Sequence, residues 1–234
     1  MHDLWISFKD QDISFSRCHL STCCKQVIDE RSPGGEYKNK MKNASIIIGI
    51  TGLPGSGKSN LLRCLRLLGI PCLSADRVVQ DILERNPQVL MTAFPEVFQE
   101  GHLNKKLLAQ TVFESPQALW VLEDVLHPLV YQEIQDFIRE HMSNPLVALE
   151  IPLLFETSDL SLFDEILEAH CDEQERHQRL LSRGWSIERI NGSLHRYIKQ
   201  EERHRLASQV IPTDQGKVKA WLYMKNALEH LCKP

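Results

Sequence analysis

The pattern of apolar and polar residues predicts buried strands next to helical segments. Residues 46–50 form a short run of β-branched apolar residues with one glycine, which suits a strand buried on both faces of a parallel sheet. Helix-compatible residues follow from Asn60 to Leu68 and stop at Gly69. Apolar runs at 70–73 and 146–149 predict two further strands, and Pro152 ends the second of them.

Composition narrows the class of protein. The chain has 234 residues, of which 42% are hydrophobic and 25% charged, as in an average soluble domain and unlike a disordered chain or a fibre. The formal net charge of −4 argues against a dedicated nucleic-acid binder, which needs a concentrated basic surface. Because no apolar run approaches the roughly 20 residues that cross a bilayer, we expect a soluble protein without a membrane partner.

The first 41 residues differ from the rest of the chain. A linker signal at 32–35 and a polar run at 36–43 precede the first apolar strand, and acidic residues at positions 3, 10 and 12 argue against a secretory or mitochondrial leader. We therefore expect residues 1–41 to be a flexible extension, or the working chain to begin at Met41, and residues 42–234 to form the functional domain.

The seven cysteines are odd in number and scattered in spacing, which favours free thiols in a reducing compartment, the cytoplasm. A cluster near the N-terminus, Cys18, His19, Cys23 and Cys24, could suggest a metal site. Its spacing fits no standard zinc pattern.

A phosphate-binding loop follows the first strand directly. The residues from Gly52 to Ser59 match the pattern GxxxxGK[ST] in full. Glycines let the backbone N–H groups point at phosphate oxygens, and the helix that follows adds its own free N–H donors. Lys58 supplies a charge for the β- and γ-phosphates and Ser59 a hydroxyl for Mg²⁺. The loop predicts binding of a nucleoside triphosphate and leaves the class of enzyme open.

Two acidic residues close the next two predicted strands. Asp76 would lie near the loop if it ends the strand at 70–73, since ligands bind beyond the carboxyl ends of parallel strands. It is then either a base for an attacking hydroxyl or the N-cap of the following helix. Glu150 ends the strand at 146–149, and either helps to place Mg²⁺ or only adds polarity.

Arginines recur at helical spacing later in the chain. Arg179 and Arg183 are four residues apart, with Arg176 before them, and could close over phosphates or form a solvated, ion-paired helix face. Arg196 and Gln200 repeat the spacing. His127 precedes Pro128 at the start of another helical pattern and, taken alone, favours a structural role.

In their order along the chain these pieces resemble the dephospho-CoA kinase family of phosphate-loop kinases. The likeness runs from about residue 45 to the C-terminus. Its most specific parts are His127-Pro128 and the segment Pro152-Leu153-Leu154-Phe155-Glu156, and the other matching pieces are the phosphate loop, Ala75-Asp76, Glu100-Gly101-His102-Leu103, Val112-Phe113, Leu122-Glu123, Arg179-Leu180, Arg183, Arg196 and Gln200.

The resemblance implies an α/β fold, a three-layer sandwich of the P-loop NTPase type with a parallel sheet and helical substrate-binding and lid regions. It implies phosphoryl transfer from ATP, with Mg²⁺, to the ribose 3′-hydroxyl of dephospho-CoA. Asp76 becomes the general base, and Arg179 and Arg183 become lid contacts to phosphate. The residues that would hold ATP are Gly52, Gly55, Ser56, Gly57, Lys58, Ser59 and Asn60. Those that would hold the acceptor are His127, Pro152, Leu153, Leu154, Phe155 and Glu156. Ser59 and Glu150 would hold the metal. No protein partner is indicated.

Several positions depart from the family pattern. Ser74 stands where the family has a first acidic residue, Asn60 replaces a threonine, Arg176 replaces a glutamine, and Ser208 replaces an aspartate. The region 212–216, expected to shape the adenine pocket, also differs. Two alternatives therefore stay open: a kinase for another small alcohol or nucleoside, and a degenerate nucleotide-binding protein that acts through interactions.

Overall fold

A five-stranded parallel sheet forms the centre of the protein. The computed structural model describes residues 45–231. Its strands are β1 (Ile46–Thr51), β2 (Cys72–Ser74), β5 (Leu146–Glu150), β6 (Glu165–His170) and β7 (Gln209–Pro212), in the order β2-β5-β1-β6-β7. All four pairings are parallel. β1 is the central strand, as its continuous apolar run predicts.

Helices cover both faces of the sheet. One face packs against α1 (Lys58–Leu67) and α9 (Lys217–Leu231), with Ile48, Ile50 and Leu167 in this part of the core. The other face packs against α2 (Ala75–Arg85), α3 (Lys105–Glu114) and α4 (Pro116–Glu140), with Leu149 and Ile166 between them. Neighbouring residues of a strand point to opposite faces, so Ile166 and Leu167 serve different cores. The predicted three-layer α/β fold is confirmed.

The remaining elements are short. Strands β3 (Phe98–Gln99) and β4 (His102–Leu103) form an antiparallel hairpin, whose turn holds Glu100 and Gly101 at positive φ. The short helices are α5 (Leu154–Thr157), α6 (Glu173–Leu181), α7 (Ile187–Gly192) and α8 (Gln200–Leu206), and 3-10 turns occupy Pro87–Leu90, Pro95–Val97 and Leu160–Leu162.

Three details of the predicted elements are wrong. The helix that contains His127 begins at Pro116, so this residue lies in its middle and Pro128 is inside it. Arg183 lies beyond α6, which ends at Leu181. Arg196 precedes α8, so it does not share a helix face with Gln200. Helical spacing alone does not show where a helix begins or ends, and here the turns after Leu181 and before Gln200 break the pattern.

Cys64, Cys72 and Cys171 are free thiols, two of them buried and Cys72 half-buried. None of the described helices is both long enough and apolar enough to cross a membrane. The boundary at Met41, the extension 1–41 and the group from Cys18 to Cys24 lie outside the described residues.

Candidate active site

The carboxyl ends of all five parallel strands meet at one edge of the sheet. The phosphate loop follows β1, Asp76 follows β2, and Glu150 is the last residue of β5. Cys171 and Thr213 follow β6 and β7 directly. Because β1 lies between β5 and β6, its loop emerges in the middle of this edge, where open α/β sheets bind ligands.

The phosphate loop is packed too closely against the sheet for side chains larger than hydrogen at two positions. At Gly52, with φ of 140°, a Cβ atom would lie 2.3 Å from the Ala169 carbonyl oxygen. At Gly57, with φ of 99°, it would lie 2.9 Å from Thr213 Oγ1. The loop therefore owes its shape to positive φ angles and to the ends of β6 and β7 behind it. α1 begins at Lys58, so the loop passes directly into a helix N-terminus.

Lys58 is buried within the loop that it follows. Its Nζ donates to the carbonyl oxygens of Gly52, at 2.8 Å, and Leu53, at 3.1 Å. Burial lowers the pKa of its ammonium group, while the negative charges of Glu150 and Asp76 oppose that shift and Arg183 adds to it. Lys58 thus lies within the electrostatic reach of both predicted carboxylates and of one predicted arginine.

The two carboxylates come from neighbouring strands. Ser74 pairs with Glu150 in the register of β2 and β5, and Asp76 is the second residue of α2. Ser74, and not Asp76, occupies the N-cap position, so the capping role considered for Asp76 is wrong. Glu150 is only 5% exposed, which excludes the role of a merely polar strand end.

Arg179 is bound to the phosphate loop. Its guanidinium donates to the carbonyl oxygens of Gly55, at 3.3 Å, and Thr213, at 2.8 Å. Its Nε pairs with Glu175 at 2.9 Å. Arg183 is exposed and lies near enough to Lys58 to act on its pKa. The structure therefore brings both arginines to the loop, although only Arg179 is on α6.

Arg176 takes neither of the two roles considered for the arginines. It is 3% exposed, and its Cγ would lie 3.3 Å from a Cβ atom added at Gly55. Burial lowers the pKa of this guanidinium, against the opposing charge of Glu173. Arg176 thus packs beneath the loop, neither on a solvated face nor on a surface that closes over phosphate.

The predicted acceptor residues lie on α4 and on the segment 152–156 after β5, called here the turn after β5, which includes the start of the short helix α5. His127 is half-buried, and burial lowers its pKa against the charge of Glu123. Glu123 in turn accepts a 2.6 Å hydrogen bond from Arg196. Glu156 accepts from the backbone N–H of Ile198 at 3.0 Å, and burial raises its pKa. These contacts join α4, the turn and the segment before α8.

The apolar part of the turn anchors it to the sheet. The Thr51 hydroxyl donates to the carbonyl oxygen of Pro152 at 3.0 Å. Leu154 is fully buried in the core and would contact a Cβ at Gly49, so its side chain packs inside the protein. Pro152 and Leu153 are buried as well, whereas Phe155 and Glu156 are half-buried. The segment therefore fixes the position of its last two residues.

Two residues near the site are not among the predicted site residues. Thr213 lies within hydrogen-bond distance of the Ser56 carbonyl oxygen through its hydroxyl, and accepts from Arg179 at 3.1 Å. The Tyr197 hydroxyl is buried, and its pKa is raised by burial and by the charges of Glu156 and Asp76. Thr213 belongs to the region 212–216 that is expected to shape the adenine pocket, but no role is predicted for this residue. A single tyrosine matches no spacing rule, so only the fold reveals what these two residues contact.

Comparison with known proteins shows the family. The family model described as dephospho-CoA kinase matches residues 46–219. The chain is 33% identical to the dephospho-CoA kinase of Rhizobium meliloti, over 72% of this chain and 89% of that one. It is 36% identical to the dephospho-CoA kinase of Thermus thermophilus, over 71% of this chain and 82% of that one.

Solved structures agree with this fold. A crystal structure of a Thermus thermophilus protein matches with a TM-score of 0.74 and 32% identity, covering 82% of this chain and all of the other. Dephospho-CoA kinase from Campylobacter jejuni matches with a TM-score of 0.57 and 21% identity, over 80% and 97% of the two chains, which is a likeness of fold alone.

Proposed function

Because the chain belongs to the dephospho-CoA kinase family, we propose that it transfers the γ-phosphoryl group of ATP to the ribose 3′-hydroxyl of dephospho-CoA. The products are coenzyme A and ADP, and the reaction is the last step of coenzyme A biosynthesis. One observation carries the proposal beyond ATP binding: a buried lysine of a phosphate loop lies within the electrostatic reach of two carboxylates from neighbouring strands.

The phosphate loop holds the triphosphate. The backbone N–H groups from Gly52 to Asn60 surround the phosphates, and the N-terminus of α1 adds its dipole. Lys58 leaves the two carbonyl oxygens that it now contacts and binds the β- and γ-phosphates. Its burial supports this role, because an interaction between charges is stronger away from water.

A divalent metal ion fits the oxygen donors at this edge. The Ser59 hydroxyl at the start of α1 and the Glu150 carboxylate at the end of β5 are ligands of the kind that Mg²⁺ prefers. We propose that the Ser59 hydroxyl binds Mg²⁺ directly and that the Glu150 carboxylate orients the ion, either directly or through a water molecule bound to it. The ion would neutralise charge on the phosphate oxygens.

Asp76 is the base in this proposal. It removes the proton of the 3′-hydroxyl as the hydroxyl oxygen attacks the γ-phosphorus, and the bond from that phosphorus to the oxygen bridging to the β-phosphate breaks. Arg179 and Arg183 stabilise the negative charge of the transferring group. The first turn of α2 fixes Asp76 while the loop fixes Lys58, so positioning provides much of the rate.

The acceptor lies between α4 and the turn after β5. His127, Phe155 and Glu156 line this side, while Pro152, Leu153 and Leu154 hold the turn in place. The lowered pKa of His127 keeps its imidazole neutral near pH 7, a form that both donates and accepts hydrogen bonds.

A coupled assay of ADP release tests the proposal. The full-length protein is supplied with MgATP and dephospho-CoA, and coenzyme A is identified by mass spectrometry. Coenzyme A itself is the matched control, because its 3′ position is already phosphorylated. We expect turnover with dephospho-CoA and none with the control.

A panel of nucleosides and other small alcohols separates the alternatives. Faster turnover with one of them than with dephospho-CoA would assign a different acceptor. Saturable ATP binding without turnover on any acceptor would indicate a protein that acts through interactions instead of catalysis.

A further inference from the structure

Three side chains with metal-ligating atoms converge at the end of β6, outside the residues proposed for ATP and its Mg²⁺. Glu168 and His170 are two residues apart on this strand and point to the same face. His204 comes from α8. The ligand atoms of the three side chains all lie within 4.8 Å of one another. The imidazole rings meet edge to face, with their centroids 4.9 Å apart.

Two of these atoms are buried without a hydrogen-bond partner among residues 45–231. Glu168 is 1% exposed, and its Oε1 accepts from Arg203 Nε at 2.9 Å. Its Oε2 has no donor, and His204 Nε2 is likewise unmatched. The two atoms face each other at 3.7 Å, which is within the distance of an ion pair if His204 is protonated but too far for a hydrogen bond. Because a buried polar atom without a hydrogen-bond partner is costly, this pair points to a ligand shared between them.

The donor set suits a transition-metal ion. Two imidazoles and one carboxylate are the protein ligands of many zinc sites, which leave a fourth position open. Ligand atoms around a tetrahedral zinc ion lie about 3.3 Å apart, because each bond is about 2.0–2.1 Å long. The longest separation between ligand atoms in the cluster would therefore shorten by up to about 1.5 Å on binding. Mg²⁺ prefers oxygen ligands, so a site with two nitrogens discriminates against the ion used with ATP.

A neighbouring arginine orients the carboxylate ligand. Arg203 donates to Glu168 and to the carbonyl oxygen of Ile198, at 2.8 Å, and so fixes the orientation of the carboxylate. Hydrogen-bonded partners of this kind orient the ligands of metal sites.

We propose that Glu168, His170 and His204 form a binding site for a divalent transition-metal ion, with zinc the best match to the ligands. The site is independent of the proposed kinase reaction. It adjoins the phosphate loop, because the carbonyl oxygen of His170 accepts from the backbone N–H of Thr213 at 2.8 Å, and the Thr213 hydroxyl contacts the loop at Ser56.

Titration of the full-length protein with Co²⁺ in the absence of ATP tests the proposal. Cobalt replaces zinc and reports its ligands through visible d–d absorption bands. We expect one ion per chain, with bands of a four- or five-coordinate site and no thiolate-to-cobalt charge-transfer band. Zinc added afterwards should displace the cobalt and abolish the bands.

Matched variants assign the ligands. His170→Gln and His204→Gln should each weaken cobalt binding by about 10-fold or more, since even loss of an outer partner costs about 10–100-fold. His102→Gln, on the exposed hairpin between β3 and β4, is the control and should bind as the wild type does. Circular dichroism and thermal melts without metal show whether each variant is folded.

Three results would overturn the proposal. The wild type shows no saturable cobalt binding, or His170→Gln and His204→Gln both bind cobalt as tightly as the wild type does. The third is a thiolate-to-cobalt charge-transfer band. The last would assign the metal to cysteines, such as those between positions 18 and 24. If His204→Gln does not fold, the zinc-dependent shift of the His170 and His204 ring resonances in the NMR spectrum of the wild type decides instead. If zinc shifts the ring resonances of neither His170 nor His204, the site is refuted.

Discussion

At the scale of single residues, the position of Asp76 decides whether the site has a base. It stands at the first turn of α2, within the electrostatic reach of Lys58. Ser74, two residues earlier, takes the N-cap position that would have given Asp76 a purely structural role. Of the two roles considered for Asp76, the role of base is therefore the one that we propose.

We predict that Asp76→Asn lowers kcat by about 10²–10⁴-fold, the usual contribution of a general base, while ATP still binds. Steady-state kinetics with dephospho-CoA and calorimetric titration with ATP measure the two effects. Asp81→Asn is the matched control, because Asp81 is on the same helix and pairs with Arg77 at the protein surface. Unchanged turnover in Asp76→Asn would remove this residue from the mechanism.

His127 should make stability depend on pH. Its pKa lies below the ordinary value of 6.5, mainly because of burial, so the unfolded chain binds a proton more readily than the folded one. Stability therefore rises with pH through the interval below about 6.5, is fully present above it, and is lost as pH falls towards the folded pKa.

We predict that His127→Gln flattens this dependence. Urea denaturation between pH 5 and 7.5 measures the free energy of unfolding, and the slope against pH should be smaller for the variant than for the wild type. The exposed His102 provides the control substitution, His102→Gln. An identical slope for wild type and His127→Gln would show that burial does not lower the pKa of His127.

At the scale of elements, the fit between the phosphate loop and the ends of β6 and β7 shapes the site. Gly52 and Gly57 approach Ala169 and Thr213 without room for a methyl group. Thr213 and Arg179 then bond to the outer side of the same loop. Two strands and α6 therefore hold the loop in its phosphate-binding shape before any ligand arrives.

We predict that Gly52→Ala destabilises the protein by about 3 kcal/mol or more and abolishes ATP binding, because its Cβ would displace the backbone of β6. Gly216→Ala is the control: this glycine also has positive φ, of 91°, but nothing lies within 4 Å of an added Cβ. It should cost about 1–2 kcal/mol, from backbone strain alone. If urea denaturation shows the same loss of unfolding free energy for both variants, the close contact between Gly52 and Ala169 is unimportant.

The sequence predicts β1, β2, β5 and the phosphate loop, because these depend on local patterns, whereas it does not identify β6 or β7. The run at 46–50 and the closing Glu150 are where the pattern places them. The arginines are harder: Arg176, Arg179 and Arg183 share a spacing, yet one is buried, one binds the loop and one is exposed. Their different surroundings come from β7 and the loop, which are distant in sequence. The cluster of Glu168, His170 and His204 shows the same limit.

At the scale of the whole molecule, positive charge is concentrated where the substrates are anionic. The chain carries a net charge of −4, whereas Lys58, Arg179 and Arg183 meet at one edge of the sheet. A local basic site in a mildly acidic protein attracts small anions. This arrangement fits a substrate with several phosphate groups.

We predict that a chain beginning at Met41 keeps the activity of the full-length protein. All residues proposed for the kinase reaction lie between positions 52 and 183, and the residues that the structure describes begin at Ser45. Equal kcat and KM values, measured side by side with dephospho-CoA, are the expected result. A truncated chain that is unfolded or inactive would give residues 1–40 a part in the folded enzyme.

The position of β1 in the sheet also has a consequence for how the protein is made. Among residues 45–231, β1 is the first strand to leave the ribosome, and it pairs with β5 and β6. Ile46 must therefore wait for Leu146, about 100 residues further on. At about 5–20 residues per second of translation, this apolar strand stays without its partners for about 5–20 seconds. Strands that are this far apart in the sequence pair slowly, and the unpaired apolar strand can aggregate in the meantime. The newly made chain should therefore depend on chaperones until β6 has left the ribosome.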